Sequence, residues 1–121
     1  AKEALVNASL EVRPTGYSLV LFNVDTGERR LAATCIAGNG HPSFSPDGKY
    51  IALDYVSGGE GYGSICLVDA EADTVEELVR VNVTNHSHTG THLHPAWSPD
   101  SRQILYASDA SGTAQLCVVS V

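Results

Sequence analysis

Short runs of apolar residues separated by turn residues follow one another along the chain. Each run has the length of a β-strand, and no stretch shows the 3.6-residue period of an amphipathic helix. Turn sequences such as Pro46-Asp47-Gly48 stand between the runs, because proline presets φ and glycine accepts positive φ. Strands are predicted near residues 4–12, 17–24, 29–33, 43–45, 50–55, 64–69, 76–81, 92–98, 104–109 and 115–121. The pattern therefore predicts an all-β fold.

The strand pattern also repeats within the chain. The segment from His41 to Leu53 aligns with the segment from His94 to Tyr106, 53 positions further on, and both contain Ser-Pro-Asp. Further matches join residues 64–68 with 115–119 and residues 21–25 with 65–69. A period of about 40–50 residues with several strands in each unit is typical of a β-propeller.

This period divides a single domain into three propeller blades. We predict a partial blade over residues 1–35, a complete four-stranded blade over 36–84 and a partial C-terminal blade over 85–121. A closed propeller needs at least four blades, so the chain is expected either to be a piece of a longer protein or to assemble with further copies into a ring. Remaining blades or self-association would then cover the open sheet edges.

Charge and composition narrow the class of partner. Fourteen acidic and seven basic residues give a net charge of −7, which argues against nucleic acid or an anionic membrane as partner. No apolar run reaches the ~20 residues that span a bilayer. The three cysteines, Cys35, Cys66 and Cys117, are widely spaced. We therefore expect no disulfide framework and a cytoplasmic location, with the periplasm as the alternative.

The histidines are the strongest candidates for chemistry. His41 and His94 hold equivalent positions in adjacent blades, and His92 stands two residues before His94 on a predicted strand, so the side chains of both His92 and His94 should face the propeller channel. Converging imidazoles bind transition metals, here a divalent Mn, Zn, Ni or Fe ion. His88 is the candidate for a fourth ligand, whereas His86 is expected to be a solvated loop residue. The alternative is that these histidines only cap the inner strands through hydrogen bonds.

Other polar and aromatic residues of the repeat are expected to be structural. Asp47 and Asp100 belong to Ser-Pro-Asp turns, where aspartate bonds the local backbone. Asp54 lies in an apolar strand and is a candidate partner that orients a metal-bound histidine. Phe44 and Trp97 are expected to pack between blades. The sequence identifies no catalytic base.

The two Ser-Pro-Asp segments, each followed by an apolar strand, resemble the PD40 (WD40-like, TolB-type) propeller repeat over about residues 1–121. The pattern of His41 with the His92-Leu93-His94 pair further resembles the C-terminal blades of oligogalacturonate lyase. That resemblance implies a seven-bladed propeller that binds manganese in its channel and cleaves pectin-derived oligogalacturonates by β-elimination. In that family three histidines and one glutamine hold the metal, and Thr89 stands here where the glutamine is expected.

The resemblance leaves more than one function open. The first is the metal-binding part of an oligogalacturonate lyase-like enzyme, with an acidic sugar as its ligand. The alternative is a non-catalytic TolB/PD40-type module that binds other proteins. A third interpretation, a propeller that gates a hydrolase, has no hydrolase motif to support it in this sequence.

Overall fold

The computed structural model describes residues 2–8, 17–56, 61–83 and 91–121, and these residues form three antiparallel sheets. The all-β prediction is confirmed, and the described residues include no helix, so none that is long and apolar enough to cross a membrane. The ten strands are β1 (Glu3–Ala8), β2 (Tyr17–Asn23), β3 (Arg29–Gly38), β4 (Ser43–Phe44), β5 (Tyr50–Val56), β6 (Tyr62–Asp69), β7 (Thr74–Asn82), β8 (Ala96–Trp97), β9 (Gln103–Ser108) and β10 (Gln115–Ser120).

Each sheet is one propeller blade. The first blade consists of β1-β2-β3, the central blade of β4-β5-β6-β7, and the last blade of β8-β9-β10. All neighbouring strands pair antiparallel and follow one another in the chain, as expected for a blade built from successive hairpins. Among the described residues, the central blade alone has four strands, in agreement with the prediction of one complete and two partial blades.

Alternating residues along each strand bury two apolar clusters between the blades. Between the first and central blades lie Leu19, Leu21, Ala32, Ala33, Ile51, Leu53 and Val68. Between the central and last blades lie Ala52, Ile65, Leu67, Val83, Leu93, Ile104 and Tyr106. The two faces of the central sheet are therefore both covered, one by each neighbouring blade. Phe44 packs against the first cluster and Trp97 against the second, as predicted.

The Ser-Pro-Asp turns have the predicted local role. Asp47 accepts hydrogen bonds from the Ser45 hydroxyl and the Lys49 amide, and Asp100 does the same with Ser98 and Arg102. These bonds hold the pKa of both carboxyl groups below their usual value, with the serine hydroxyl as the largest cause in each case. The turns thus fix the hairpins that follow the two candidate histidines, His41 and His94.

The first strand of the last blade differs from its prediction. It begins at Ala96 and not at His92, because Pro95 has no N–H to donate and His94 adopts a positive φ of 45°. Strand β3 in turn runs five residues beyond the predicted end, to Gly38. Of the predicted strand at 4–12, residues 9–12 lie outside the described part of the chain.

Candidate metal centre

Three histidines from two blades meet at the head of the inner strands. His41 lies between β3 and β4, and His92 and His94 lie in the segment that precedes β8. One nitrogen from each ring can be chosen so that all three lie within 4.8 Å of one another. The ring centroids are 3.8 Å apart for His41 and His94, 5.5 Å for His41 and His92, and 5.7 Å for His92 and His94. The structure therefore brings together three of the four residues predicted as ligands.

The fourth predicted ligand, His88, lies outside the described residues, as do His86 and Thr89. The choice between His88 and Thr89 as a fourth ligand therefore stays a prediction.

The cluster forms by a different route from the one predicted. The strand pattern of the sequence placed His92 and His94 on one face of a strand, and that reason is wrong because neither residue is in a strand. Instead, the intervening Leu93 is fully buried between the central and last blades, and its carbonyl accepts a hydrogen bond from the Ala107 amide at 2.8 Å. Because Leu93 is held in the core, His92 and His94 on either side of it both remain accessible at the edge of this apolar cluster.

The buried carboxylate of Asp54 bonds two of the three histidines. Its side chain is 1% exposed, and its Oδ1 accepts the His41 amide at 2.5 Å while its Oδ2 accepts the His94 amide at 3.0 Å. The two carboxylate oxygens also lie 3.1 and 3.0 Å from His41 Nδ1. When Nδ1 carries the proton it donates to this carboxylate, and His41 Nε2 is then the nitrogen left as an acceptor. This is the carboxylate–histidine arrangement that orients metal ligands in proteins, and it confirms the predicted contact.

The surroundings of His94 favour the neutral form of its ring, which is the form that can bind a metal. Burial, and next the neighbouring His41, lower the pKa of His94 below its usual value of 6.5, although Asp54 acts in the opposite direction. A lower pKa means that the ring is neutral at pH 7, and only the neutral imidazole has a lone pair for a metal.

The donor set fits a divalent transition metal. Three nitrogens bound to one ion at about 2.1 Å lie at most about 4.2 Å apart. The ligand atoms here lie within 4.8 Å of one another, close to that limit. Imidazole ligands without a thiolate suit Mn, Fe, Ni or Zn.

Sequence reasoning missed Gly40, which the site requires. Gly40 has a φ of +72°, and a Cβ at this position would lie 1.8 Å from the Asp54 carbonyl oxygen and 2.5 Å from Asp54 Oδ1. The Asn7 side-chain amide donates to the Gly40 carbonyl at 2.7 Å, which ties the first blade to the same loop. The Asn39-Gly40 dipeptide is a turn signal in the sequence and was the available clue to this turn.

A cleft opens beside the three histidines. Its volume is about 490 Å³, and its lining includes Asn7, Tyr17, Asn39, His41 and His92. The first and central blades therefore contribute polar and aromatic groups next to the cluster. No catalytic base is assigned among them. Elsewhere, Cys35, Cys66 and Cys117 form no disulfide with one another.

Comparisons with known proteins agree with this fold. No protein-family model matches the chain. The Tol-Pal system protein TolB of Hydrogenovibrio crunogenus is 32% identical over 85 residues, which cover 69% of this chain and 17% of that protein. The chain thus matches less than a fifth of this relative's length.

Among solved structures, TolB from Acinetobacter baumannii has a TM-score of 0.64 at 22% identity, over 87% of this chain and 24% of that chain. The β-propeller domain of the trilobed protease from Pyrococcus furiosus has a TM-score of 0.60 at 22% identity, over 86% and 31%. The three blades, the PD40 repeats and these similarities show that the described residues have the fold of a TolB/PD40-like β-propeller.

The comparison with the lyase is weaker. An oligogalacturonate lyase in complex with manganese has a TM-score of 0.41 at 17% identity, over 85% of this chain and 40% of that chain. A similarity at this level carries no argument for lyase activity or for manganese. The TolB-like resemblance is therefore the one that is confirmed.

Proposed function

We propose that this chain is a metal-binding segment of a TolB/PD40-like propeller, in which His41, His92 and His94 together hold one divalent transition metal. The observation that carries the proposal is the approach of three ring nitrogens to within 4.8 Å, although His41 is 51 or more positions from the other two in the chain. Manganese, zinc, nickel and iron are the candidate metals.

Three histidines would bind the metal at this site, and Asp54 would hold two of them in position. His41 supplies Nε2 because its Nδ1 faces Asp54, and His92 and His94 supply the other two nitrogens. The Asp54 carboxylate fixes the rotation of the His41 ring and the position of the His94 backbone. A bound divalent ion would add a Lewis acid next to the cleft.

Metal analysis tests the site. The purified chain is expected to bind one divalent ion, measured by titration calorimetry with Mn²⁺ and Zn²⁺ and by elemental analysis. The variant His92→Ala/His94→Ala should lose the ion while keeping its circular dichroism spectrum and melting temperature within a few degrees. The matched control is His86→Ala, a histidine outside the proposed set, which should bind as the parent does. A folded parent chain that takes up no ion at millimolar Mn²⁺ or Zn²⁺ would refute the site.

His88→Ala decides whether a fourth histidine takes part. A loss of affinity of roughly 10-fold or more would make His88 a ligand, as the sequence predicts, whereas an unchanged affinity would leave three histidines and solvent.

We propose protein binding as the function of the propeller that contains this segment. The support is the similarity to a Tol-Pal system protein over 69% of this chain. The same similarity supports the periplasmic alternative over a cytoplasmic location. Fractionation of cells that produce the full-length protein, followed with an antibody, tests the location, and recovery with the cytoplasmic fraction would contradict it.

A second candidate function is metal-assisted β-elimination of an oligogalacturonate. The three-histidine cluster beside a polar cleft of about 490 Å³ favours it, because a bound metal next to the cleft can attract the carboxylate of an acidic sugar. The test is absorbance of the unsaturated product when the full-length protein is given digalacturonate and Mn²⁺. Activity that disappears in His92→Ala/His94→Ala would support the enzyme, and a metal-loaded but inactive full-length protein would favour the protein-binding module.

A further inference from the structure

One peptide group beside the histidines is held by two blades at once. The carbonyl of Gly40 and the amide of His41 belong to the same planar peptide group. The carbonyl accepts a hydrogen bond from the side-chain amide of Asn7, in β1 of the first blade, at 2.7 Å. The amide donates to Asp54 Oδ1, in β5 of the central blade, at 2.5 Å, and Asp54 Oδ2 accepts the amide of His94. Hydrogen bonds therefore connect the first blade, through this peptide group, to the last blade.

The equivalent peptide group of the last blade is held differently on its carbonyl side. The peptide group of Leu93 and His94 aligns with it 53 positions further on. The Leu93 carbonyl accepts the amide of Ala107, from its own blade, at 2.8 Å. The Gly40 carbonyl accepts its donor from the neighbouring blade. The position of His41 thus depends on the first blade in a way that the position of His94 does not.

The conformation of Gly40 makes this peptide group sensitive to its hydrogen bonds. Gly40 has a φ of +72°, and glycine accepts a wider range of backbone angles than any other residue. The residue itself therefore does not fix the orientation of the peptide group that follows it. Rotation of that group would turn the His41 amide away from the Asp54 carboxylate and bring a carbonyl oxygen towards it. The hydrogen bond from Asn7 opposes this rotation.

The oxygen of the Asn7 side chain indicates that packing is not the reason for an asparagine at this position. Asn7 Oδ1 is buried, and none of the described residues donates a hydrogen bond to it. A buried acceptor without a partner costs stability, and an apolar side chain of similar size would avoid that cost. What an asparagine adds here is its Nδ2 donor, which holds the Gly40 carbonyl.

From these contacts we infer that Asn7 is a positioning residue of the metal centre, so that docking of the first blade on the central blade sets the affinity for the metal. The inference rests on the metal site proposed above. Asn7 acts through the peptide group on His41, whose amide and ring Nδ1 both lie against the Asp54 carboxylate. When Asn7 no longer holds the carbonyl, the His41 amide and ring lose their fixed position against Asp54.

Metal affinity of Asn7→Ala tests the inference, and Asn23→Ala is the matched control. Asn23 lies at the opposite end of the β1–β2 pair, where its side chain accepts the amides of Asp25 and Thr26. Both variants therefore lose side-chain hydrogen bonds of the first blade, but Asn23 is remote from Gly40. Calorimetric titration with Zn²⁺ should show an affinity about 10-fold lower in Asn7→Ala and unchanged in Asn23→Ala. Equal affinities of Asn7→Ala and the parent, or equal losses in both variants, would overturn the inference.

A measurement on the metal-free chain separates this inference from the metal site. The NMR chemical shift of the His41 amide proton reports its short hydrogen bond to the Asp54 carboxylate. The proton should move upfield in Asn7→Ala and keep its shift in Asn23→Ala. An unmoved proton in Asn7→Ala would overturn the positioning role whether or not the chain binds metal. The expected shift in a chain that binds no metal would refute the metal site and still support the positioning of His41 by Asn7.

A second variant covers the case in which Asn7→Ala does not fold. Asn7→Asp keeps the size of the side chain and removes the N–H donor, so it should show the same upfield shift and the same loss of affinity. Parent values of both quantities in Asn7→Asp would overturn the inference.

Discussion

His41 of the central blade and His94 of the last blade are equivalent residues of the repeat, but different contacts hold them in the cluster. His41 is held through both its backbone amide and its side chain, since the amide and Nδ1 both lie against the Asp54 carboxylate of its own blade. His94 is oriented through its backbone, whose amide donates to the same carboxylate across the blade boundary. The residue of the last blade that corresponds to Asp54 is Ala107, so the second repeat has no carboxylate at this position. One acid therefore serves two blades.

The residues just before the two histidines differ in a matching way. Gly40 precedes His41 and leaves room for Asp54, whereas the corresponding Leu93 precedes His94 and fills the interface between blades. The repeat thus sets the positions of His41 and His94, and the residues that differ between the two blades determine the contacts that hold each histidine.

Four substitutions test the contacts between blades, in decreasing order of expected effect.

The largest effect is expected for Leu93→Ala. Leu93 is fully buried, and removal of its side chain should lower the free energy of unfolding by about 4 kcal/mol because it leaves a cavity between the central and last blades. Metal affinity should fall as well, since Leu93 holds the segment that carries His92 and His94. Urea unfolding measures the first effect, with Val75→Ala as a control that should stay within about 0.5 kcal/mol of the parent. Equal losses in both variants would contradict the anchoring role.

Gly40→Ala is expected to have the next largest effect. The new Cβ would meet backbone at 1.8 Å and the residue has a φ of +72°, so we expect a loss of about 3 kcal/mol from crowding and strain together. Gly48→Ala is the matched control, because Gly48 has a φ of +75° and no atom within 4 Å of the place that a new Cβ would occupy, and it should lose only about 1 kcal/mol. The difference between the two urea midpoints isolates the approach of Gly40 to Asp54. Equal midpoints would show that this approach costs nothing.

Asp54→Asn tests the carboxylate that both blades share, and its expected loss of stability is smaller than that of Gly40→Ala. An amide has one acceptor oxygen where the carboxylate has two, so a buried donor of the cluster loses its partner and stability falls by about 2 kcal/mol. Metal affinity should fall about 10- to 100-fold because the His41 ring is no longer fixed by a charge. Calorimetric titration measures the affinity, and Asp100→Asn, in the exposed turn of the last blade, should bind metal as the parent does. If Asp54→Asn bound metal with the parent's affinity, Asp54 would have no part in orienting the ligands.

The smallest effect concerns a contact away from the histidines. Asp73, in the turn between β6 and β7, accepts hydrogen bonds from the Thr34 hydroxyl and from the Thr34 and Cys35 amides of the first blade. These bonds, that of the Thr34 hydroxyl first, lower the pKa of Asp73 from 3.8 to about 2. The folded state binds this proton less readily than the unfolded state, so the contact stabilises fully above about pH 4 and loses its contribution as the pH falls through about 2.

Urea midpoints between pH 2 and pH 6 check this contact. The parent should exceed Asp73→Asn at pH 6, and the two curves should converge as the pH approaches 2. Glu71→Gln, a change in the same turn, should run parallel to the parent over the whole range. Curves of the parent and Asp73→Asn that stay equally far apart down to pH 2 would show that the charge of Asp73 does not stabilise the junction between blades.

Much of the fold was predictable because the repeat is local information. The spacing of the Ser-Pro-Asp turns and the alternation of apolar residues such as Ile51, Leu53 and Ile104 predicted the strands and their grouping into blades. The strand predicted from His92 begins only at Ala96, because Pro95 and the positive φ of His94 prevent pairing there although the alternation continues. A pattern of apolar residues cannot predict the backbone conformation of His94, because the hydrogen bond from its amide to Asp54 comes from another blade.

The sequence alone determined the blade order, the Ser-Pro-Asp hairpins and the choice of His41, His92 and His94, because repeats and residue types are written locally. Only the tertiary structure decided how those histidines meet. Their approach depends on Leu93 packing between two sheets, on Gly40 leaving space, and on one buried carboxylate that bonds both blades. The hydrogen bond between Asp54 and His94 joins residues 40 positions apart, and no local pattern specifies that it forms.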